Sequence, residues 1–65
     1  MKLLLKKDYL ELVEEYEKYA DRDIYKIYVT DDQGNKTLLA QNDIYTSSLM
    51  KFAALHEILS KTLNW

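Results

Sequence analysis

His56 is the only histidine in this 65-residue chain and the first side chain whose chemistry has to be tested. An imidazole acts as a general base or a metal ligand only with a second functional group within hydrogen-bond reach. In a helix, Glu57 points about 100° away from His56, and Ser60, one turn further on, is near enough to bond to it. No third group or oxyanion site completes a nucleophilic set. The sequence therefore predicts a structural histidine at the border of an apolar stripe, and no catalytic residue.

The stretch VTDDQGNKT, residues 29–37, is the second candidate, because two adjacent aspartates and the only glycine of the chain occur together there. A helix–loop–helix calcium site requires acidic or amide groups at positions 1, 3 and 5, glycine at 6 and glutamate at 12. Starting at Asp31 places a lysine sixth, and placing Gly34 sixth puts Val29 first, so neither register fits. The residues do fit a type I turn with a left-handed glycine, closing a three-residue hairpin loop with a bulge. We expect a chain reversal here, with no metal and no cofactor.

Acidic side chains are concentrated in one part of the sequence. The net charge is −2, but residues 8–32 contribute −6, residues 1–7 contribute +3 and residues 33–65 contribute +1. Such a segment repels a phosphate backbone and attracts a basic protein surface. Paired catalytic carboxylates are one interpretation of the glutamates, and a solvated face balanced partly by Lys18 and Arg22 is the simpler one.

The segment that starts at Asp8 has the spacing of an amphipathic helix. Asp8 and Glu11 fit a capping box at its start. Apolar residues then follow one stripe, namely Tyr9, Leu12, Val13, Tyr16, Tyr19 and Ala20. We expect this helix to end near residues 21–23. For residues 2–7 the unbranched leucines favour helix, with a short strand as the alternative. The predicted partner-binding row on the first helix consists of Glu11, Glu14, Glu17 and Asp21.

A β-hairpin is predicted in the middle of the chain. Residues 24–30 are rich in β-branched and aromatic side chains, and residues 36–41 are the expected partner strand. The turn predicts a register that pairs Val29 with Thr37, Tyr28 with Leu38 and Ile27 with Leu39. Both faces of this hairpin carry apolar groups, so a third strand or a covering element is needed. Residues 43–46 and residues 2–5 are the two candidates for that strand.

The last predicted helix covers roughly residues 47–63, with hydroxyl caps from residues 46–48. Its main apolar stripe is Leu49, Phe52, Leu55, Leu59 and Leu63. A second apolar row on the opposite side exceeds what one helix on one small sheet needs. Together with Tyr28 on the hairpin, this row is the predicted protein interface, which consists of Tyr28, Met50, Ala54, Ile58 and Trp65.

The expected architecture is a single α+β domain over residues 1–65, in the order helix, antiparallel β-hairpin (with or without a short third strand), helix. The chain has no cysteines, and a chain this short buries only about 60% of its unfolded surface. Either its core is dense or a second copy completes it. The N-terminal apolar run of three residues is too short for a signal peptide or a membrane span, so we expect a cytoplasmic protein.

These features favour a small non-enzymatic protein that binds and modulates a larger protein, whose surface is basic and which handles nucleic acid. In size and sign of charge the chain resembles the small acidic inhibitors that bacteriophages and mobile elements encode against host nucleases, CRISPR effectors or DNA-repair glycosylases. A homodimeric structural or regulatory protein is the first alternative. A nucleic-acid-binding regulator is the second, and it is disfavoured because the lysines cluster only at the N-terminus.

Overall fold

The computed structural model describes all 65 residues as one antiparallel sheet followed by one helix. The elements are β1 (Lys2–Lys7), β2 (Leu10–Glu17), β3 (Arg22–Thr30), β4 (Lys36–Asn42) and α1 (Tyr45–Leu63). The strands lie in chain order, so β2 and β3 are central and β1 and β4 are the edges. The α+β class is confirmed, but the predicted helix–hairpin–helix order is wrong, because the N-terminal half is a second hairpin.

The strand β2 replaces the predicted first helix. Leu10 and Leu12 are fully buried on one side of β2, and Val13 is buried on the other. A strand sends alternate side chains to opposite faces, so Leu10 and Leu12 share a face two residues apart. On the predicted helix Leu10 lay outside the apolar stripe. Pairing with β1 and β3 on both sides outweighs the helix propensity of this leucine- and glutamate-rich segment.

Two tight turns occupy the positions assigned to the start and end of that helix. Asp8, the predicted helix cap, has a left-handed backbone (φ 56°) in the turn between β1 and β2. Asp21 has φ 52° in the turn between β2 and β3, where the amide of Ala20 bonds to the carbonyl of Glu17 at 3.2 Å. Aspartate tolerates the left-handed region better than most residues, because its short side chain bonds locally.

The predicted central hairpin is present as β3 and β4. Tyr28 pairs with Leu38 and Val29 with Thr37, as predicted, but Ile27 pairs with Ala40 and not with Leu39. The register shifts between Ile27 and Tyr28, so a bulge moves the later part of β4 by one residue.

The loop of this hairpin reverses the chain around Gly34. The Gly34 amide donates to the carbonyl of Asp31 at 3.1 Å, and Gly34 has φ 84°, a conformation that costs little without a Cβ. The Asp31 amide donates to the carbonyl of Asn35 at 2.9 Å, which leaves three residues in the loop. The expected left-handed glycine and three-residue loop are both observed.

The strand that extends the central hairpin is β2, which pairs with β3, and neither of the two predicted candidates takes that place. Residues 2–7 form β1 and pair with β2, which makes the helical prediction for them wrong and the strand alternative right. Residues 43–46 form no strand, because α1 already begins at Tyr45. The predicted hydroxyl caps are also wrong. The N-cap is Ile44, which makes no side-chain cap, and the Ser48 hydroxyl donates to the Ile44 carbonyl at 2.9 Å.

The main core lies between the sheet and α1. Leu10, Leu12, Ile27 and Phe52 are buried there, and further apolar side chains pack around them, including Leu55 and Leu59 from α1. Only Ser48 and Phe52 of the helix are buried, because α1 packs on the sheet through one side.

No helix of the structure combines the length and the apolar character needed to cross a membrane.

The face of the sheet away from α1 has no covering element, yet three of its residues are buried. Val13 on β2 and Ile24 on β3 lie on this face. Lys26, which is only 8% exposed, pairs directly with Val13 and lies two residues from Ile24 on β3. The ammonium of Lys26 contacts the carboxylates of Glu15 and Glu17. Charged side chains on the central strands therefore cover the apolar groups that a second layer would otherwise bury.

Candidate protein-binding surface

The outward side of α1 presents an apolar row to solvent. A helix turns about 100° per residue, so Ala54 lies about 200° around the axis from the buried Phe52. Met50 and Ile58 lie one turn before and one turn after Ala54, and they are 74% and 60% exposed. Ala54 is exposed as well. These three residues, predicted from helical spacing, form one continuous row that we call the outer α1 face.

Charged side chains flank the outer α1 face on both sides. Lys51 and Glu57 lie three residues before and after Ala54, and both are exposed. Lys61 lies one turn beyond Glu57, and their side chains form an ion pair at 3.3 Å along the helix. The surface thus has an apolar centre and a charged rim, which is the usual composition of a protein interface.

A groove runs beside this row, between α1 and the edge strand β4. Its volume is about 400 Å³. Its apolar lining comes from both elements, with Met50 and Ala54 on the helix and Tyr25, Ile27 and Ala40 on the sheet. The groove arises because α1 leaves β4 only partly covered, and it extends the apolar surface from the helix towards the sheet edge.

Trp65 does not belong to this row, contrary to the prediction. Asn64 ends the helix with a left-handed backbone (φ 58°), and the Trp65 amide bonds back to the Ser60 carbonyl at 3.0 Å. This reversal directs the indole towards the sheet. Its ring lies 5.6 Å from that of Tyr9 and 5.8 Å from that of His56, and it packs against the core. Trp65 therefore packs against the core at the C-terminal end of α1 and is not part of the outer α1 face.

Tyr28 is also remote from the outer α1 face. It lies on the sheet face away from the helix, and its hydroxyl donates to Glu15 at 3.3 Å. Burial and the nearby carboxylate raise the pKa of Tyr28 above its usual value. The five residues predicted as one interface therefore occupy three places, and only Met50, Ala54 and Ile58 share a surface.

The predicted acidic row does not exist as a row, because its residues lie on a strand and a turn. Glu11 and Glu17 lie on the uncovered face of the sheet, whereas Glu14 lies on the opposite face, across from Tyr25. Asp21 lies in the β2–β3 turn, where it accepts a hydrogen bond from the Tyr16 hydroxyl. The backbone separates these carboxylates onto different surfaces.

Lysines also neutralise the carboxylates on the uncovered face. Glu11 lies 3.0 Å from the ammonium of Lys36 and 4.0 Å from that of Lys6. Lys26 lies 2.6 Å from Glu15 and also pairs with Glu17. The hydrogen bond from Lys26 holds the pKa of Glu15 below its usual value, and the two carboxylates raise the pKa of Lys26. This surface is a set of paired charges and not an acidic patch.

His56 takes part in a contact between α1 and the β1–β2 turn. Its Nε2 atom lies 2.6 Å from a carboxylate oxygen of Asp8. The Ser60 hydroxyl donates to the Glu57 carbonyl at 3.0 Å instead of bonding to His56, so that part of the prediction is wrong. His56, Asp8 and the Trp65 ring together fix the end of the helix on the sheet.

The hydrogen bonds of the Asp31 carboxylate all come from residues of its own loop. It accepts hydrogen bonds from the amides of Gln33 and Asn35, each at 2.9 Å, and from the Asn35 side chain at 3.1 Å. These donors, led by the Asn35 amide, hold the pKa of Asp31 below its usual value. No group of three or more histidine, cysteine, aspartate or glutamate side chains has an arrangement suited to a metal ion.

Three features of the structure were not predicted from the sequence, namely the groove beside α1, the buried Lys26 cluster and the contact between His56 and Asp8. The groove depends on how far the helix covers β4, which no local pattern specifies. The Lys26 cluster could have been predicted from the sequence. Lys26 shares a strand face with Ile24 and Tyr28, and a lysine among apolar residues on a central strand needs a carboxylate partner.

The chain matches no protein-family model, no curated protein and no solved structure.

Proposed function

We propose that this chain is a non-enzymatic protein-binding module that modulates a larger protein and contacts it through the outer α1 face. The observation that carries the proposal is the exposure of Met50, Ala54 and Ile58 together on one helix. A rigid helix presents these side chains at fixed spacing, so a complementary groove or helix can bind all three at once.

Exposed apolar rows of this kind are unusual on a small monomer. Single exposed apolar residues need no explanation, but a contiguous patch with a charged rim marks an interaction site. Methionine suits such a site because its flexible side chain adapts to the surface it meets. The groove towards β4 adds apolar area next to Met50 and Ala54, where a partner side chain can insert.

The acidic residues are not the basis of this proposal. The carboxylates of Glu11 and Glu17 are paired with lysines on the uncovered face of the sheet, and Glu14 lies on the other face. A basic, nucleic-acid-handling partner was expected from the charge of residues 8–32. The folded chain supports apolar recognition by α1 more directly than electrostatic recognition by β2.

A capture experiment with matched variants tests the proposal. The wild-type chain, Met50→Ser/Ile58→Ser and the control Leu3→Ser/Leu38→Ser are immobilised and exposed to a nuclease-treated bacterial lysate. The control also removes two exposed leucines, but from edge strands away from α1. We expect the wild type and the control to retain the same protein, and the α1 variant to lose it. Equal retention by all three variants would remove the outer α1 face from the function.

A further inference from the structure

The sheet has two exposed edges, and they differ in charge. The edge strand β1 carries three lysines among its six residues, namely Lys2, Lys6 and Lys7. Lysines along an edge oppose the addition of another strand, because that strand would remove their charges from water. Residues 37–42 of the edge strand β4 contain no charged side chain. Of the two edges, β4 is therefore the one that accepts a further strand.

The backbone of β4 has hydrogen-bonding groups without a partner in the chain. Its only neighbour in the sheet is β3. The amides and carbonyls of an edge strand point alternately towards its neighbour and away from it, and those of β4 that point away from β3 bond to no other part of the chain. The backbone of an extended segment is the protein structure that satisfies such a row of groups.

The groove beside α1 adjoins this edge. Residues 40–42 of β4 line one side of the groove, and Met50 and Ala54 of α1 line the other. The bulge at Leu39 interrupts the regular part of β4, so residues 40–42 are the stretch at which a new strand would pair next to the groove. Every second side chain of that strand would face α1. An apolar side chain at such a position fits the groove between the helix and β4.

The α1 side of the groove also carries two hydrogen-bond donors without partners. Ser47 and Lys51 lie one helical turn apart, and both line the groove. Neither side chain forms a hydrogen bond or an ion pair with the rest of the chain. Lys51 is the only charged residue of the lining, and Asp43, which follows β4, is already paired with Arg22. A hydroxyl and an ammonium one turn apart suit a carboxylate, which accepts hydrogen bonds from both.

We propose that the edge of β4 binds an extended segment of a larger protein, which adds to the sheet as a further strand, places an apolar side chain in the groove and pairs a carboxylate with Lys51. The inference rests on the proposed function, since it names the form of the partner at a groove that shares Met50 and Ala54 with the outer α1 face. Backbone hydrogen bonds contribute affinity for any extended segment, whereas the groove and Lys51 select its side chains.

A second copy of this chain does not supply such a segment through its own edges. Residues 37–42 of its β4 contain no carboxylate, and its β1 contains three lysines and no carboxylate. Either strand would leave Lys51 unpaired, and β1 would bring further positive charges towards it. The strands that do carry carboxylates, β2 and β3, are paired on both sides. The complementary segment therefore belongs to a different protein.

A peptide selection on the immobilised chain tests the proposal. The probe is a library of capped random peptides of about eight residues, a length that spans a typical strand. We expect the retained peptides to alternate apolar and polar residues and to share an aspartate or glutamate at one position. A selection that enriches no peptide, or only peptides without a shared acidic position, contradicts the proposal.

Charge reversal checks where the carboxylate binds. Lys51→Glu should weaken binding of the best selected peptide roughly tenfold, because attraction becomes repulsion. The same variant should gain affinity for a peptide with lysine at the acidic position, which a misfolded chain would not do. Lys61→Glu is the matched control, because Lys61 is an exposed lysine of α1 outside the groove, and it should leave the affinity unchanged. Fluorescence anisotropy measures these affinities, and equal binding by Lys51→Glu and the wild type would overturn the pairing.

Amide hydrogen exchange, followed by NMR, locates the added strand. Saturation with the best peptide should slow the exchange of the β4 amides that point away from β3 and leave the amides of β1 unchanged. N-methylation of the peptide amides that face β4 should abolish binding, whereas N-methylation of those that face away should be tolerated. Protection of β1, or of neither edge, would exclude strand addition at β4.

Failure of this inference can be distinguished from failure of the proposed function. If no peptide protects β4 but Met50→Ser/Ile58→Ser still loses the lysate protein, strand addition is wrong and the outer α1 face stands. If a peptide protects β4 but retention does not depend on Met50 and Ile58, the edge site stands and the outer α1 face is excluded. If the β4 amides of the free chain become protected as its concentration rises, a second copy occupies the edge and the inference is overturned.

Discussion

On one face of the sheet, α1 covers Leu12 and Ile27 with apolar side chains, whereas on the other face Lys26 is paired with the carboxylates of two glutamates. Both faces contain buried residues, although only one has a second layer of structure. The helix side removes apolar surface from water by contact with other apolar groups. The uncovered side does so by holding long charged side chains across the strands, with their charges paired.

The difference shows how a four-stranded sheet can bury apolar residues on both faces although a helix packs on only one of them. No helix lies on the second face, where the glutamates and the lysine of the central strands cover the apolar groups instead. The stability that apolar packing gives to one face and the stability that paired charges give to the other depend on different conditions. Apolar contact is insensitive to pH, whereas paired charges depend on the protonation of each carboxylate. Three substitutions or conditions separate the two faces.

Truncation of the helix-side core should have the largest effect. Leu12→Ala removes fully buried methyl groups beneath α1 and should lower the free energy of unfolding by about 3 kcal/mol. For a domain of this size that is a large part of the total stability. Leu3→Ala is the control, because Leu3 is exposed on the same sheet, and it should cost only about 0.5 kcal/mol. Chemical denaturation measures both, and equal losses would contradict a one-sided core.

Removal of the buried ammonium on the other face should have an intermediate effect. Lys26→Met keeps the apolar stem but leaves Glu15 and Glu17 close together without their cation. We expect the Tm to fall by about 5 °C at neutral pH. Lys2→Met, on the exposed edge strand β1, is the matched control and should leave the Tm nearly unchanged. A Lys26→Met variant as stable as the control would show that the charged cover contributes nothing.

Among the three tests, neutralising the Glu15 carboxylate of the uncovered face should produce the smallest change in stability. The pKa of Glu15 is lowered in the folded chain by Lys26, so its contribution is complete above the ordinary value of 4.5 and is lost as the pH falls below it. The raised pKa of Lys26 keeps this residue charged throughout that range. Glu15→Gln should therefore shift the Tm by no more than about 3 °C at neutral pH and reduce its fall in acid. Thermal melts between neutral pH and pH 3 measure this, and identical acid profiles would argue against the pairing.

The parts of the fold that the sequence predicted well are those that short-range patterns specify. Helix α1 follows from the spacing of Phe52, Leu55 and Leu59, and the β3–β4 hairpin follows from β-branched residues on both sides of Gly34. The outer α1 face was also predictable, because Met50, Ala54 and Ile58 repeat at four-residue intervals. Each of these inferences depends only on residues a few positions apart.

The N-terminal hairpin could not be predicted in the same way. Residues 10–17 suit both a helix and a strand, since Leu12, Val13 and Tyr16 fit a helical stripe and Leu10 with Leu12 fits an alternating one. The choice depends on β1 and β3, which pair with both edges of β2 and lie elsewhere in the chain. For the same reason Trp65 was misplaced, because its position depends on the left-handed Asn64 and on the distant Tyr9.

The sequence alone determined the class of the fold, the last helix, the central hairpin and the apolar row on the outside of α1, because each depends on local spacing and turn chemistry. The tertiary structure decided that β2 is a strand, that its glutamates separate onto two faces, and that Lys26 is buried between two of them. Those outcomes depend on which segments pair across the sheet. The free energy of that pairing comes from contacts between residues that are distant in the chain, so the preferences of a single segment could not decide between helix and strand.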